Sequence, residues 1–203
     1  MKIALIGASG RVGSRLLAEL LGRRHTVTGI VRDTGKLSPR DGLAVRVADA
    51  TDAARLAPVL SGHDAVISAA RFVSSDARAL LDATRRAGVP RLLIVGGAGS
   101  LDVAPGKALV DTPDFPDAYK PEAQAGRTFL DALRPEQDVD WTFLSPSADF
   151  APGSRTGEFR LGGDQLLVDG QGRSWISMED FAIALVDELE HPRHSRQRFT
   201  VGY

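Results

Sequence analysis

Apolar residues along this chain follow two alternating spacings. Short runs rich in apolar residues recur near 2–7, 26–31, 43–48, 64–68, 90–96 and 140–145, and they predict strands. Between them, near 11–22, 52–60, 74–87 and 120–134, apolar positions fall three and four apart, as on helices with one buried face. Val12, Leu16, Leu17, Leu20 and Leu21 form such a stripe in the first helix. In the third, Leu80, Leu81, Thr84 and Ala87 do so, and Gly88-Val89-Pro90 ends it. Strands and helices in alternation predict βαβ units and an α/β domain built on a parallel sheet.

Two regions depart from that rhythm. Segment 101–118 is rich in Pro, Asp and Gly, follows directly on a strand, and predicts a long loop over the carboxyl edge of the sheet. After Trp141 the pieces shorten: strands are expected at 159–161, 165–168, 174–176 and 199–201, with turns at Gly162-Gly163 and Asp169-Gly170. Ser177 reads as the cap of a last helix, whose stripe is Phe181, Leu185 and Leu189. The stretch from about 146 to 203 is too small to fold alone, so it is expected to complete the substrate side of one domain spanning 1–203.

Composition narrows the chemistry. The chain of 203 residues has a net charge of −1, which gives no electrostatic reason to expect nucleic acid or an anionic membrane as partner. It has no cysteine, which excludes disulfides, thiolate metal sites and cysteine nucleophiles. Its four histidines lack metal-ligand spacing, and no metal site is expected. With neither a signal peptide nor a long apolar run, the expected compartment is the cytoplasm.

The most informative chemistry lies at the start. The run Ile3–Ile6 meets Gly7-Ala8-Ser9-Gly10-Arg11-Val12-Gly13, and a helical stripe follows at once. A strand entering a Gly-x-x-Gly-x-x-Gly turn and a helix N-terminus is a pyrophosphate-binding device, so the sheet is predicted to be a doubly wound, Rossmann-type dinucleotide domain. At the end of the second strand stands Arg32, suited to an adenosine 2′-phosphate, with Arg11 adding charge inside the turn; this favours NADPH over NADH. Under the opposite reading, Asp33 accepts from the ribose of NAD. Asp49, beside Ala50, is placed to bond the adenine amino group or, equally, to cap the helix after it. Ala69 and Ala70 end the fourth strand with small residues that let a ribose and pyrophosphate pass close. Gly96, Gly97 and Gly99 after the fifth leave room for two flat rings, which packing alone would not require.

One absence matters. The chain has only two tyrosines, Tyr119 and Tyr203, and position 123 is Ala, so no Tyr-x-x-x-Lys proton-donating dyad exists. Tyr119 and Lys120 are adjacent and would not share a helix face; Lys120 remains a candidate for the nicotinamide ribose.

The chain resembles the atypical short-chain dehydrogenases/reductases of the NmrA-like, NAD(P)-binding type. The carrying residues are Gly7–Gly13, Val31–Asp33, Asp64–Ser68 and Ile176–Ala184. More narrowly, Phe143–Ser147, Arg155–Gly157, Phe159–Asp164 and Arg196–Tyr203 are similar to bacterial NADH-flavin reductase-type proteins related to flavin reductase/biliverdin reductase B. The resemblance implies hydride transfer from NAD(P)H to FMN, FAD or a similar small planar acceptor. It maps the nicotinamide contacts onto Gly97–Ser100 and the turn Ser145-Pro146-Ser147. Ser100 and Ser147 are then the hydrogen-bonding candidates, each also readable as a loop or capping serine. Asp180 is expected to be structural, as a cap. Two other classes stay open: a non-catalytic NADP-binding sensor, which the missing dyad favours, and an epimerase-like or isoflavone-reductase-like enzyme, which the short chain disfavours.

Overall fold

A computed structural model describes residues 1–203, with every side chain except that of Lys36. β1 (Lys2–Ile6) leads into α1 (Arg11–Gly22) and β2 (Thr26–Val31), then β3 (Leu43–Val47), α2 (Ala53–Leu60) and β4 (Ala65–Ser68). α3 (Ala77–Arg86), β5 (Arg91–Val95), a hairpin of β6 (Asp102–Ala104) and β7 (Lys107–Ala108), α4 (Lys120–Leu133) and β8 (Asp140–Pro146) come next. The chain continues through β9 (Asp149–Ala151), β10 (Arg160–Gly162), β11 (Trp175–Ser177), α5 (Met178–Glu190) and β12 (Gln197–Gly202).

An eight-stranded sheet runs in the order β10-β12-β8-β5-β4-β1-β2-β3, parallel throughout except where β10 lies antiparallel on β12. The strand order reverses beside β1: the chain moves outward to β2 and β3, then crosses back to β4. Loops leaving the sheet in opposite directions there open a crevice at the carboxyl ends of the strands. This is the Rossmann-type arrangement expected from the sequence.

Alternate residues of the central strands feed two cores. Ile3 and Leu5 face α1 and α5, where Leu16, Leu20, Phe181 and Leu185 close one layer. Ala4 and Ile6 face the other side, against Leu56, Leu80, Phe129 and Phe143. Both layers are needed to dry the sheet, which is why β1, β4 and β5 read as continuous apolar runs rather than alternating ones.

Several expectations need correction. Residues 165–168 form no strand; the Leu166 amide donates to the Asp102 carbonyl, and the Asp102 amide donates to Asp164, so this stretch clips onto β6. The 101–118 segment holds the β6–β7 hairpin and short 3₁₀ turns at Leu109–Asp111 and Asp117–Tyr119. α3 starts at Ala77 rather than 74, because Asp76 accepts from the Arg78 amide and caps it. β9 was not foreseen, and it pairs with β11 outside the main sheet. The C-terminal stretch does two jobs: β12 joins the sheet between β8 and β10, and α5 covers it beside α1.

A buried ion cluster fastens that stretch to the sheet. Glu188 of α5 accepts from Arg91 Nη2 at 2.8 Å and from the amides of Arg193 and His194, while its second oxygen faces His194 Nδ1 at 2.8 Å. Arg91 also lies 2.7 Å from Asp140. Removing one member of such a buried pair strands the other. Glu188→Ala is therefore expected to cost about 3 kcal/mol, and thermal unfolding should show the midpoint falling by roughly 6–12 °C.

Candidate active site

The turn between β1 and α1 is made of backbone contacts that admit no side chains. Gly7 has φ of +78°, and a Cβ there would stand 2.9 Å from the Ala69 carbonyl oxygen. A Cβ on Gly13 would meet the Gly7 oxygen at 2.0 Å, so only glycine lets the first turn of α1 rest on the end of β1. Below the turn, the Gly7 amide donates to Ile30 and the Ala69 amide to Ile6, each at 2.9 Å, tying β1 to β2 and β4. Gly10 is the extended N-cap residue of α1, and no side chain caps the amides that follow. Those amides, the positive end of the helix dipole and exposed Arg11 fit a pyrophosphate, with Ser9 and Val12 on the same turn.

Arg32 is exposed just past β2. The Asp33 carboxylate accepts from the Gly35 amide at 2.9 Å and so closes its own turn. Asp49 does not cap α2; Asp52 does, accepting from the Arg55 amide. The Asp49 carboxylate accepts instead from the Thr51 amide and hydroxyl, at 2.9 and 2.8 Å. Those bonds, with the charge of Arg32 nearby, hold its carboxyl below the usual range. Ala50, Ala69 and Ala70 are half-buried at the rim.

Two strands from the glycine turn, a cleft of about 640 Å³ opens at the carboxyl ends of β5 and β8. Gly96–Ser100 form its floor. Leu109, Phe115, Pro116 and Tyr119 lie on one side, with Pro146–Phe150 and Ser174 on the other. Packing accounts for two of the three glycines read as space for rings. A Cβ on Gly96 would strike Phe143 at 2.4 Å, and one on Gly99 would strike Ala123 at 2.6 Å. Only Gly97 faces open room, with Phe72 at 3.7 Å.

The three side chains singled out for catalysis fare differently. Ser100 lines the cleft. Ser147 also lines it, but its hydroxyl is buried and donates to the Val201 carbonyl at 3.1 Å, fastening β12 rather than reaching toward a ligand. Lys120 pairs with Asp117 at 2.7 Å and is not among the lining residues. Asp180 is structural but not a cap: Ser177 caps α5, while the Asp180 carboxylate accepts from Thr156, Gly157 and Tyr203. Burial works to raise the Asp180 pKa, and these bonds outweigh it and bring it below its ordinary value.

Sequence reasoning missed Phe72 and Glu122. The Glu122 carboxylate accepts from the Phe72 amide at 2.7 Å and holds the short turn that carries the ring. That ring packs between Phe129, Phe143 and Gly126, where a Cβ would come within 2.9 Å. Gly126 on the inner face of α4 was the available signal.

Residues 7–192 match the NAD(P)H-binding family. The chain belongs to that family, in agreement with the atypical dehydrogenase resemblance drawn from its motifs. Among solved structures it is 49% identical to a protein of Burkholderia pseudomallei described as a putative exported protein, with a TM-score of 0.91 and full coverage of both chains. It is 46% identical to a putative epimerase from Bacteroides thetaiotaomicron (TM-score 0.94, covering 100% of this chain and 96% of that one). It is 37% identical to a putative NADH-flavin reductase from Streptococcus pneumoniae (TM-score 0.87, covering 100% and 99%). No helix among the described residues is long and apolar enough to cross a membrane.

The glycine contacts generate a paired expectation. Gly13→Ala should weaken NADPH binding by about tenfold or more in calorimetric titration, an effect near 1.4 kcal/mol. Gly22→Ala, at the far end of the same helix where an added Cβ meets nothing, should leave that affinity unchanged.

Proposed function

We propose that the protein is an NAD(P)H-dependent oxidoreductase that passes hydride to a flavin or comparable flat acceptor, with NADPH preferred over NADH. The observation that carries this reading is the cleft at the carboxyl ends of β5 and β8, walled by Phe72, Leu109, Phe115, Pro116 and Phe150 over the open backbone of Gly97. Such a slot suits two stacked rings. The likeness to the Streptococcus pneumoniae protein described as an NADH-flavin reductase supports the same acceptor class.

The nicotinamide, when bound, supplies the hydride. The work of the chain's own residues is placement. The amides at the start of α1, with Gly7, Gly10, Gly13 and Arg11, hold the pyrophosphate, and Arg32 pairs with the 2′-phosphate through its planar fork. Asp49 keeps lone pairs for the adenine side, and Ala69, Ala70, Gly96 and Pro146 border the path toward the cleft. The apolar walls would exclude bulk water around the rings and limit the ways in which they can stack. A flavin or quinone ring spreads the charge it receives and takes its proton from water, so the missing Tyr-x-x-x-Lys dyad is no obstacle.

The Bacteroides thetaiotaomicron likeness suggests epimerase chemistry as a second reading. That reaction needs a base at a carbinol oxygen. Tyr119 borders the cleft, but no lysine shares its face: the neighbouring ammonium of Lys120 is turned to Asp117.

The test is stopped-flow oxidation of NADPH and NADH with flavin and quinone acceptors. Saturable turnover above the uncatalysed rate is expected. Arg32→Ala should weaken NADPH about tenfold or more while NADH changes little, as for loss of a charged hydrogen bond; equal losses would remove Arg32 from that role. Tight NADPH binding with no turnover of any acceptor would leave the sensor reading instead.

A further inference from the structure

Charge is divided along the groove. The dinucleotide end carries exposed Arg11 and Arg32, whereas the residues lining the cleft include Asp114, Glu122 and Asp149 and no Lys, Arg or His. Cations close to the cleft are already engaged: Lys120 with Asp117, Arg127 with Asp111, and Arg198 with Asp164. Glu122 is answered by Arg71 at 3.5 Å and by the Phe72 amide at 2.7 Å. Asp114 and Asp149 are different. Both residues are exposed, and their carboxylates have no ion-pair or hydrogen-bond partner among the described residues.

We infer that the acceptor taken by this cleft is a flat ring without negative charge, a quinone or a phosphate-free flavin, and that Asp114 and Asp149 select against anionic relatives of the same ring. This rests on the oxidoreductase reading above and narrows its substrate class. A phosphate or carboxylate brought to the cleft would shed water without gaining a cation, and it would meet two uncompensated carboxylates. An uncharged ring carries no such penalty and gains from the apolar walls. With a quinone the step balances simply: one hydride from NADPH and one proton from water give the hydroquinone and NADP⁺.

Riboflavin and FMN share one ring and differ by a phosphate, so their affinities isolate the charge. Each would be titrated into the NADP⁺-saturated protein at low salt, with quenching of flavin fluorescence as the readout. Riboflavin is expected to bind about tenfold more tightly, with the gap closing as ionic strength rises. The double variant Asp114→Asn/Asp149→Asn should narrow it to about threefold or less by strengthening FMN binding. Equal affinities in the parent protein, tighter FMN binding, or a gap that survives neutralisation of both carboxylates would overturn the inference. Turnover is read separately, with NADPH and menadione. A protein that prefers riboflavin but oxidises no NADPH would sink the oxidoreductase reading while the charge selectivity stands.

Discussion

The first turn of α1 rests on the carbonyl of Gly7, and the carboxyl edge of the sheet is organised around that approach. It exists because Gly13 has no Cβ and because Gly7 reaches a backbone conformation that side chains disfavour. With α1 seated there, Leu16 and Leu20 enter the same core as Phe181 and Leu185, so the position of α1 fixes that of α5. Ion pairs run along the same contact: Arg15 with Glu179, and Arg23 with Asp187 and Glu190. Being partly exposed, they add little stability, and their value is in register. α5 in turn places Asp180, which gathers Thr156, Gly157 and Tyr203. A single close contact thus reaches from the β1–α1 turn to Tyr203, just after the last strand.

Glycine serves two ends in this molecule, and only geometry separates them. At positions 7 and 13 it permits a backbone approach that places donors. At 96 and 99 it makes way for Phe143 and Ala123. Those last two contacts bring β5 against β8 and the loop after β5 against α4. Of the glycines first read as ring space, Gly97 alone keeps that character.

What could be read from the sequence was whatever local pattern governs. The apolar runs located β1, β2, β3, β4, β5 and β8 to within a residue or two, and the glycine turn with its helical stripe located the junction of β1 and α1. Features set by distant partners were hidden. Nothing near 165–168 says that it will clip to Asp102 instead of extending a strand, because the clip is two backbone bonds to a segment far away in sequence. Ser147 looked available until β12 arrived beside it and took its hydroxyl. Glu122 reaches back to the Phe72 turn across α3, β5 and the β6–β7 hairpin. Asp49 and Asp52 are near-equivalent by sequence, and the choice of cap was settled by which carboxylate the Arg55 amide meets.

The order of the strands carries a consequence for how the chain is made. β12 lies between β8 and β10, although both of those are synthesised before it. Until β12 arrives, β8 presents an unpaired edge and β10 has no partner to run against. Strands β1 to β5 need none of those late residues to complete their own pairings, whereas the β8 side of the sheet is completed only by residues 197–202. An unpaired edge of that kind is a template for another strand, so the seating of β12 is also what closes the β8 side of the sheet to other chains.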